Sequence, residues 1–320
     1  MALRLDDRWI WDFWIVRDGT NYHVFYLQAP RSLVDSELRH WNVTIGHAAS
    51  SDLRSWEVLP EALAPGSSGE WDDYTTWTGS TIGHDGMWHM LYTGGSRSEK
   101  GLIQRIGLAT SRDLITWNKH PDNPLLVLDP RWYEPLDLDS WHDQAWRDPW
   151  LVKEPATGRW HAFLTARSAS GEADGRGVIG HACSHDLVEW EVLPPITQPG
   201  DFGHLEVPQV VAANGHYYLL FSVPAAHYSA RRVATDSEGP ITGTHYAILG
   251  DVFGAAPSPN GLGSGRALSP LYGGKLVEGP GGEWYFLGWI HRDDSDDFVG
   301  EISDPIPVEF DSSGAILLTG

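Results

Sequence analysis

Cysteine is nearly absent from the sequence, with Cys183 alone among 320 residues. A single cysteine excludes an internal disulfide and a zinc cluster built from several thiolates. Apolar runs are too short to span a membrane, and the first residues do not combine a basic segment with an apolar stretch. We therefore predict a cytoplasmic protein with no membrane partner.

Positive charge is also scarce. The chain has 22 Lys and Arg against 43 Asp and Glu, which gives a net charge of -21. Such a surplus repels phosphate backbones and anionic lipids, so we expect no nucleic acid partner. The net charge neither attracts nor repels a neutral small molecule. The sequence does not indicate an oligomeric state.

Repetition is the sequence's most prominent feature. Three segments, beginning at Ile45, Ile106 and Ile179, share an apolar strand, a polar turn with Ser and Asp, and a second strand that begins at a tryptophan. This pattern is typical of a β-hairpin. The hairpin therefore occurs three times.

A second repeated element shows how many units the chain contains. A glycine turn followed by an aromatic strand occurs five times, anchored at Tyr22, Trp88, Trp160, Tyr217 and Trp284. Dividing 320 residues by five leaves 64 for each unit, which suits a four-stranded propeller blade. We predict an all-β fold in which residues 1–320 form a single five-bladed β-propeller with no separate C-terminal β-sandwich. Residues 129–144 are predicted to fold over one end.

Three acids occupy matching positions in these units. Asp12, Asp148 and Glu206 lie ten, twelve and eleven residues before the aromatic anchors of their units, on the preceding strand. The first strand of each propeller blade lines the central channel, so the three side chains are expected to converge near the axis. A funnel with three acids and a tryptophan rim suits a small molecule.

The chemistry of clustered carboxylates points to glycosidic bond cleavage. Repulsion and burial raise the pKa of at least one acid, while Arg147 supplies a cation that lowers the pKa of another. A neutral acid beside an ionised carboxylate is the pair that this cleavage requires. A propeller that only binds carbohydrate is the alternative, because a tryptophan rim binds sugars without any acid.

At these acids the sequence resembles glycoside hydrolase families 32 and 68, whose members act on β-fructofuranosides. The motifs are WDFW at Asp12, WTGS at Trp77, WRDPW at Asp148 and LEVPQ at Glu206. The resemblance implies a retaining enzyme that removes terminal β-fructofuranosyl units from sucrose, fructo-oligosaccharides or related fructosides. It assigns Asp12 as nucleophile, Glu206 as acid and base, and Asp148 as the transition-state stabiliser.

The resemblance also implies residues that shape the sugar pocket, namely Arg147, Trp77 and Ser80. Trp11, Trp14 and Gln209 flank the acids in the sequence. We include these three in the predicted sugar-binding set.

Two enzymatic alternatives stay open. Family 43 arabinofuranosidases and xylosidases share the scaffold and the three acids but invert. Inverting enzymes separate the two carboxyl groups by roughly 6.5 to 9.5 Å, whereas retaining enzymes separate them by roughly 5 to 5.5 Å. Fructosyl transfer is the other alternative, because water and a sugar acceptor compete at such a pocket.

No cofactor and no metal are expected. His142, Asp143 and His204 lie near the acid motifs. Histidines in such a funnel more often form hydrogen bonds with substrate or backbone than bind an ion. The expected partner is a sugar or oligosaccharide.

Overall fold

Five sheets surround one axis. The computed structural model describes residues 2–237, 239–250, 252–254, 265–293 and 297–319. Within these residues the strands form five antiparallel sheets, four with four strands and one with five. The first strand of each sheet contacts the first strand of the next, and the fifth contacts the first. This closed ring confirms the predicted all-β, five-bladed propeller.

Each blade is built from consecutive strands, with the first strand at the axis. Blade 1 contains β1 (Arg8–Arg17), β2 (Tyr22–Pro30), β3 (Thr44–Ser50) and β4 (Glu57–Leu63). Blade 2 contains β5 (Thr75–His84), β6 (Met87–Gly95), β7 (Arg105–Ser111) and β8 (Asn118–Lys119). Blade 3 contains β9 (Trp146–Lys153), β10 (Trp160–Arg167), β11 (Gly177–Ser184) and β12 (Trp190–Leu193). Blade 4 contains β13 (Glu206–Ala213), β14 (His216–Val223), β15 (Gly243–Leu249) and β16 (Arg266–Ser269). Blade 5 contains β17 (Tyr272–Glu278), β18 (Trp284–Arg292), β19 (Phe298–Ile302), β20 (Ile306–Phe310) and β21 (Ile316–Leu318).

Helical structure in the described residues is limited to short segments. They are the 3-10 turns Arg31–Leu33, Ser36–Trp41, Ala173–Gly175 and Ala225–His227 and the helix α1 (Ala230–Thr235). No helix in the described part of the chain is both long and apolar enough to cross a membrane.

The three repeated hairpins have the same turn chemistry. In each, an aspartate side chain accepts hydrogen bonds from the backbone N–H groups two and three residues later, at 2.7 to 2.9 Å. The leucine after each aspartate has a positive φ, between 61° and 69°, and a buried side chain. An aspartate that caps its own turn stabilises this uncommon backbone conformation. The pairs are Asp52 and Leu53, Asp113 and Leu114, and Asp186 and Leu187.

The ring is closed by a contact between the start of the described chain and blade 5. Leu3 and Ile302 exchange backbone hydrogen bonds of 2.9 and 3.1 Å. β1 also contacts both β17 and β19. Blade 1 is therefore held against blade 5 through backbone bonds as well as through side-chain packing.

Candidate active site

Each of the five inner strands contains a β-bulge in its first half. The bulged residues include Asp12, Thr78, Asp148, Val207 and Gly273. Three of them have positive φ, namely Asp148 at 56°, Val207 at 52° and Gly273 at 60°. A bulge interrupts the ladder and redirects a side chain. Three of the bulged residues, Asp12, Thr78 and Asp148, have polar side chains and line the cavity at the axis.

Two of the sequence motifs mark these bulges. Pro149 follows Asp148, and Pro208 follows Val207. Proline lacks an N–H donor, so within a sheet it fits where the hydrogen-bond ladder is already interrupted. The Arg-Asp-Pro and Glu-Val-Pro patterns therefore encode backbone geometry as well as acidic side chains.

The inner strands surround a central cavity of about 580 Å³. Asp12, Asp148 and Glu206 all line it, although they come from blades 1, 3 and 4. The wall also includes Trp11, Arg39, His40, Trp41, Trp77, Thr78, Gln104, His142, Asp143, Arg147, Tyr272, Trp289 and His291. The structure thus brings together the three acids that the sequence places in register.

Asp12 is held from both neighbouring blades. Trp289 of blade 5 donates its indole N–H to Asp12 Oδ1 at 2.8 Å, and Thr78 of blade 2 donates its hydroxyl to Oδ2 at 3.1 Å. Burial raises the pKa of Asp12 to about 7, and repulsion from Asp148 and Glu206 adds to the shift. The two donors orient the carboxyl group while its surroundings favour the neutral form.

Glu206 is surrounded by hydrogen-bond donors. Arg147 donates to Glu206 Oε1 at 2.7 Å, and the hydroxyl of Tyr272 donates to Oε2. Burial alone would raise the pKa of Glu206, but the hydrogen bond from His204 and the charge of Arg147 outweigh burial and hold it well below its usual range. Glu206 is therefore ionised in the free site.

Asp148 accepts hydrogen bonds from the Thr165 hydroxyl at 2.7 Å and the backbone N–H of Val207 at 3.2 Å, both at Oδ2. Burial raises its pKa, while the nearby charge of Arg147, 3.6 Å away, opposes the rise. The side chain is 4% exposed and fixed on several sides. Asp148 is suited to orienting a ligand rather than to moving during a reaction.

A buried lysine lies close to the acids. Lys275 Nζ donates to the backbone carbonyls of Val207 at 3.0 Å and Gly273 at 3.1 Å. Burial lowers the pKa of Lys275 to about 8, although attraction by Asp12 and Asp148 opposes the shift. This ammonium offsets part of the negative charge in the cavity.

Trp77 and its neighbours form an aromatic wall. Trp77 donates its indole N–H to the backbone carbonyl of His40 at 2.9 Å, and its ring lies 5.8 Å from that of Trp41. Gly101, at φ 70°, packs against Trp41 so closely that a Cβ atom there would lie 2.5 Å from the indole ring. Glycine at this position allows the Trp41 ring to reach the wall.

Trp14, Ser80 and Gln209, which are predicted to bind sugar, do not line the central cavity. Trp14 donates to the hydroxyl of Thr81 at 2.9 Å, and Ser80 accepts the N–H of Leu151 at 3.0 Å.

Gln209 exchanges hydrogen bonds with the backbone of Leu276, at 2.7 and 3.0 Å. Each of the three residues joins inner strands of adjacent blades, which share no backbone ladder. Their polar atoms are therefore used to fix one blade against the next. Gln209 also lines a second cavity of about 280 Å³, formed farther along the inner strands.

Four cavity or near-cavity residues were missed by the sequence reasoning, namely Thr78, Tyr272, Lys275 and Trp289. Three of them stand in inner-strand segments, TTWTGSTIG and LYGGKLVEG, that align with the acids. The repeat register could have identified those three. Trp289 lies on β18, the second strand of its blade, and no site residue at the matching position of another blade identifies it.

The predicted insertion reaches the cavity. Residues 129–144 supply His142 and Asp143 to its wall, in agreement with the expectation that this segment folds over one end. Asp143 accepts hydrogen bonds from Arg147 at 3.1 Å and from Gln104 at 2.9 Å. The segment is thereby attached to the arginine that also binds Glu206.

The chain matches the model of the Glycosyl hydrolases family 32 N-terminal domain over residues 14–301. It is similar to a sucrose-6-phosphate hydrolase of Escherichia coli, with 31% identity over 215 residues, 62% of this chain and 40% of that protein. It is 38% identical to an acid beta-fructofuranosidase of Capsicum annuum over 143 residues, 41% of this chain and 20% of that protein. The chain spans less than half the length of these two relatives.

Solved structures share the fold. An inulosucrase from Halalkalicoccus jeotgali, bound to kestose, has a TM-score of 0.78 and 21% identity, covering 100% of this chain and 90% of that one. The GH32 beta-fructofuranosidase BmSUC1 of Bombyx mori, in complex with sucrose, has a TM-score of 0.74 and 22% identity, covering 99% of this chain and 64% of that one. At these identities the similarity shows a common fold.

Proposed function

Because this chain belongs to glycosyl hydrolase family 32, we propose that it is a retaining glycosidase. Its substrate class is a terminal β-fructofuranosyl unit in sucrose, a short fructo-oligosaccharide or a related fructoside. The observation that carries the proposal is the meeting of Asp12, Asp148 and Glu206, from three blades, in one cavity with an aromatic wall. Relatives named as a sucrose-6-phosphate hydrolase and a beta-fructofuranosidase support the substrate class.

In the first step an oxygen of Asp12 attacks the anomeric carbon of the fructosyl unit. Glu206 donates a proton to the glycosidic oxygen, so that the other sugar leaves as a neutral alcohol. The indole N–H of Trp289 and the hydroxyl of Thr78 hold Asp12 for this attack. Asp148 binds ring hydroxyls and stabilises the positive charge that develops at the anomeric carbon.

In the second step Glu206, now a carboxylate, removes a proton from water. The resulting oxygen attacks the anomeric carbon and releases Asp12, which regenerates the free enzyme. Two displacements at one carbon restore its original configuration. Retention of the β anomer is therefore the stereochemical result of the proposal.

The protonation of the free site is the reverse of what the first step needs. Asp12, with its pKa near 7, favours the proton, whereas Glu206 is ionised beside Arg147 and Tyr272. The acids form a coupled group, so moving one proton from Asp12 to Glu206 leaves the net charge unchanged. A sugar that expels water and accepts the donors of Arg147 and Tyr272 favours that transfer.

A substrate panel followed by proton NMR tests the proposal. The panel contains sucrose, sucrose 6-phosphate, kestose, an α-L-arabinofuranoside and a β-xyloside. We expect turnover of a fructoside with β-fructofuranose as the first anomer released. Release of the inverted anomer, or turnover confined to the arabinoside or xyloside, would contradict it.

Two further readouts separate the remaining alternatives. Growth of oligosaccharides at high sucrose concentration would identify fructosyl transfer. Calorimetry that shows sugar binding without product after long incubation would identify a carbohydrate-binding propeller. Asp12→Asn is the loss-of-function control, and Asp6→Asn, at an exposed position outside the cavity, is its matched partner.

A further inference from the structure

A buried lysine lies between the two cavities of the propeller. The chain has four lysines, Lys100, Lys119, Lys153 and Lys275, and all are among the described residues. Lys275 alone is buried, with 1% of its surface exposed, and it lines the second cavity. Its ammonium bonds the carbonyl of Val207, a residue that lines the central cavity. Lys275 thus joins the lining of one cavity to the lining of the other.

The ammonium of Lys275 bonds the backbone at two β-bulges. Nζ donates to the carbonyls of Val207 at 3.0 Å, Gly273 at 3.1 Å and Gly274 at 3.5 Å. Val207 and Gly273 have positive φ and stand where the register shifts in β13 and β17. An ammonium has three donors, so it can serve all three carbonyls. Lys275 thereby ties the bulge of blade 4 to the bulge of blade 5, although their inner strands share no backbone ladder.

These two bulges contact all three acids. Val207 directly follows Glu206, and its backbone N–H donates to Asp148 Oδ2 at 3.2 Å. Gly273 lies against Asp12, because a Cβ atom on this glycine would be 3.4 Å from Asp12 Oδ1. A displacement of either bulge would therefore move the immediate surroundings of an acid.

The charge of Lys275 also acts on the acids. Burial raises the pKa of Asp12, repulsion from Asp148 and Glu206 adds to the rise, and the charge of Lys275 opposes it. Burial lowers the pKa of Lys275 to about 8, while Asp12 and Asp148 oppose that shift. The coupling is reciprocal, so each charge favours the charged form of the other. The ammonium therefore favours the carboxylate with which Asp12 would attack.

Other charged or titratable side chains line the two cavities beside Asp12 and Lys275. They are Glu37, Arg39, His40, His142, Asp143, Arg147, Asp148, Glu206, Tyr272 and His291 at the central cavity and Arg17, Tyr22 and Glu278 at the second. All of them are retained when Lys275 alone is replaced. A change in pH dependence after that replacement therefore reports the charge of Lys275.

We propose that Lys275 is a positioning residue for the three acids, an internal cation that holds the bulges of blades 4 and 5 together and favours the ionised form of Asp12. This role rests on the proposed function, because it serves the attack by Asp12. Lys275 itself does not line the central cavity. It acts through the backbone of Val207 and Gly273 and through its charge.

Lys275→Ala removes both the ammonium and its charge. Loss of a charged donor to the bulges should lower kcat/KM for the fructoside by at least about tenfold. Loss of the positive charge should move the alkaline fall of kcat/KM, expected near pH 7, upward by about one pH unit. A lysine that only filled space would change the rate without moving this limb of the profile.

Propylammonium tests the ammonium directly. It replaces the Cγ, Cδ, Cε and Nζ atoms that Lys275→Ala lacks, and the second cavity, of about 280 Å³, gives it access to their place. It should raise kcat/KM of Lys275→Ala and return the alkaline limb to near pH 7, whereas 1-propanol, which is uncharged, should do neither. Lys153→Ala, at an exposed position outside both cavities, is the matched control and should behave as the unaltered chain does with and without the amine.

NMR titration of the lysine side chains measures the charge coupling without turnover and without a variant at Lys275. The Lys275 signal should titrate near pH 8. In Asp12→Asn its midpoint should move downward, because the carboxylate that favours the ammonium is gone. Asp6→Asn, at an exposed position outside the cavity, should leave the midpoint unchanged. This measurement decides the coupling even where Lys275→Ala does not fold.

The outcomes separate this inference from the proposed function. An unchanged kcat/KM profile in Lys275→Ala, equal rescue by 1-propanol, or an unmoved Lys275 midpoint in Asp12→Asn would each overturn it. Rescue by the amine alone and a lowered midpoint support it. If no fructoside is turned over by the unaltered chain, the proposed function fails, while the NMR titration still decides whether Lys275 and Asp12 are coupled.

Discussion

Replacing Asp12 with Asn should stabilise the protein at alkaline pH while it abolishes turnover. Burial and the neighbouring acids raise the pKa of Asp12 from 3.8 to about 7. At 1.36 kcal/mol per pKa unit, keeping Asp12 ionised at pH 8 costs at most about 4 kcal/mol of folding free energy. Asp12 is only partly buried, so solvent screening reduces the measured gain below that ceiling.

The sign of the effect follows from proton linkage. A carboxyl group with a raised pKa binds protons more strongly in the folded state, so the penalty is absent below pH 3.8, grows up to pH 7 and is constant above. At pH 5 it is at most about 1.6 kcal/mol. Asn can still accept the Trp289 N–H and can donate to the Thr78 hydroxyl, so the contacts of the side chain survive the change.

Urea unfolding of the two proteins at pH 5 and pH 8, with fructoside turnover measured in parallel, is the assay. We expect the stability difference to be larger at pH 8 and Asp12→Asn to be inactive at both. Asp6→Asn controls for the change in net charge. A variant that is less stable than the unaltered chain at pH 8 would refute the view of Asp12 as a strained carboxylate, and an active variant would remove its role as nucleophile.

Three other measurements probe the same electrostatics. Since the free site holds its proton on Asp12 with a pKa near 7, kcat/KM should fall about tenfold per pH unit above pH 7, and a flat profile there would contradict this. Trp289→Phe removes the indole donor to the Asp12 carboxylate, and a hydrogen bond to a charged group contributes about 1.5 to 3 kcal/mol. We therefore expect kcat/KM to drop about ten- to hundredfold. Trp284→Phe, on the same strand, should leave kcat/KM unchanged. Burial lowers the pKa of His181 to about 3, so below pH 6.5 the unfolded chain binds a proton at this ring and the folded chain does not. His181→Gln should therefore reduce the loss of folding free energy between pH 7 and pH 5 by about 2 kcal/mol in urea titrations. An unchanged loss would contradict this prediction.

The blade pattern could be predicted from sequence because its signals are local. A turn such as the one at Asp52 depends on an aspartate that bonds the next few backbone N–H groups, and that chemistry is the same in every copy. The alternation of strands and turns then determines the blade count. The positions of Asp12, Asp148 and Glu206 follow from the same register, since each is counted from a repeat anchor.

The orientation of individual side chains could not be predicted in the same way. Trp14 lies two residues after Asp12 on one strand, yet it packs against Phe25 and bonds Thr81 instead of lining the cavity. The bulge between Trp11 and Phe13 changes the alternation of side chains at this point. Only the fold as a whole determines where such an extra residue lies, because the pairing partner comes from another strand.

The partners of Asp12 show why the site depends on the ring as a unit. Its two hydrogen bonds come from Thr78 in blade 2 and Trp289 in blade 5, while Asp12 itself belongs to blade 1. The inner strands of adjacent blades share no backbone ladder, so side chains such as Trp14 and Ser80 set the distance between them. Trp14 and Ser80, which are predicted to hold the sugar, thus connect the blades that hold the acids. A change in packing between two blades should therefore alter the position of Asp12 before it alters the structure of either blade.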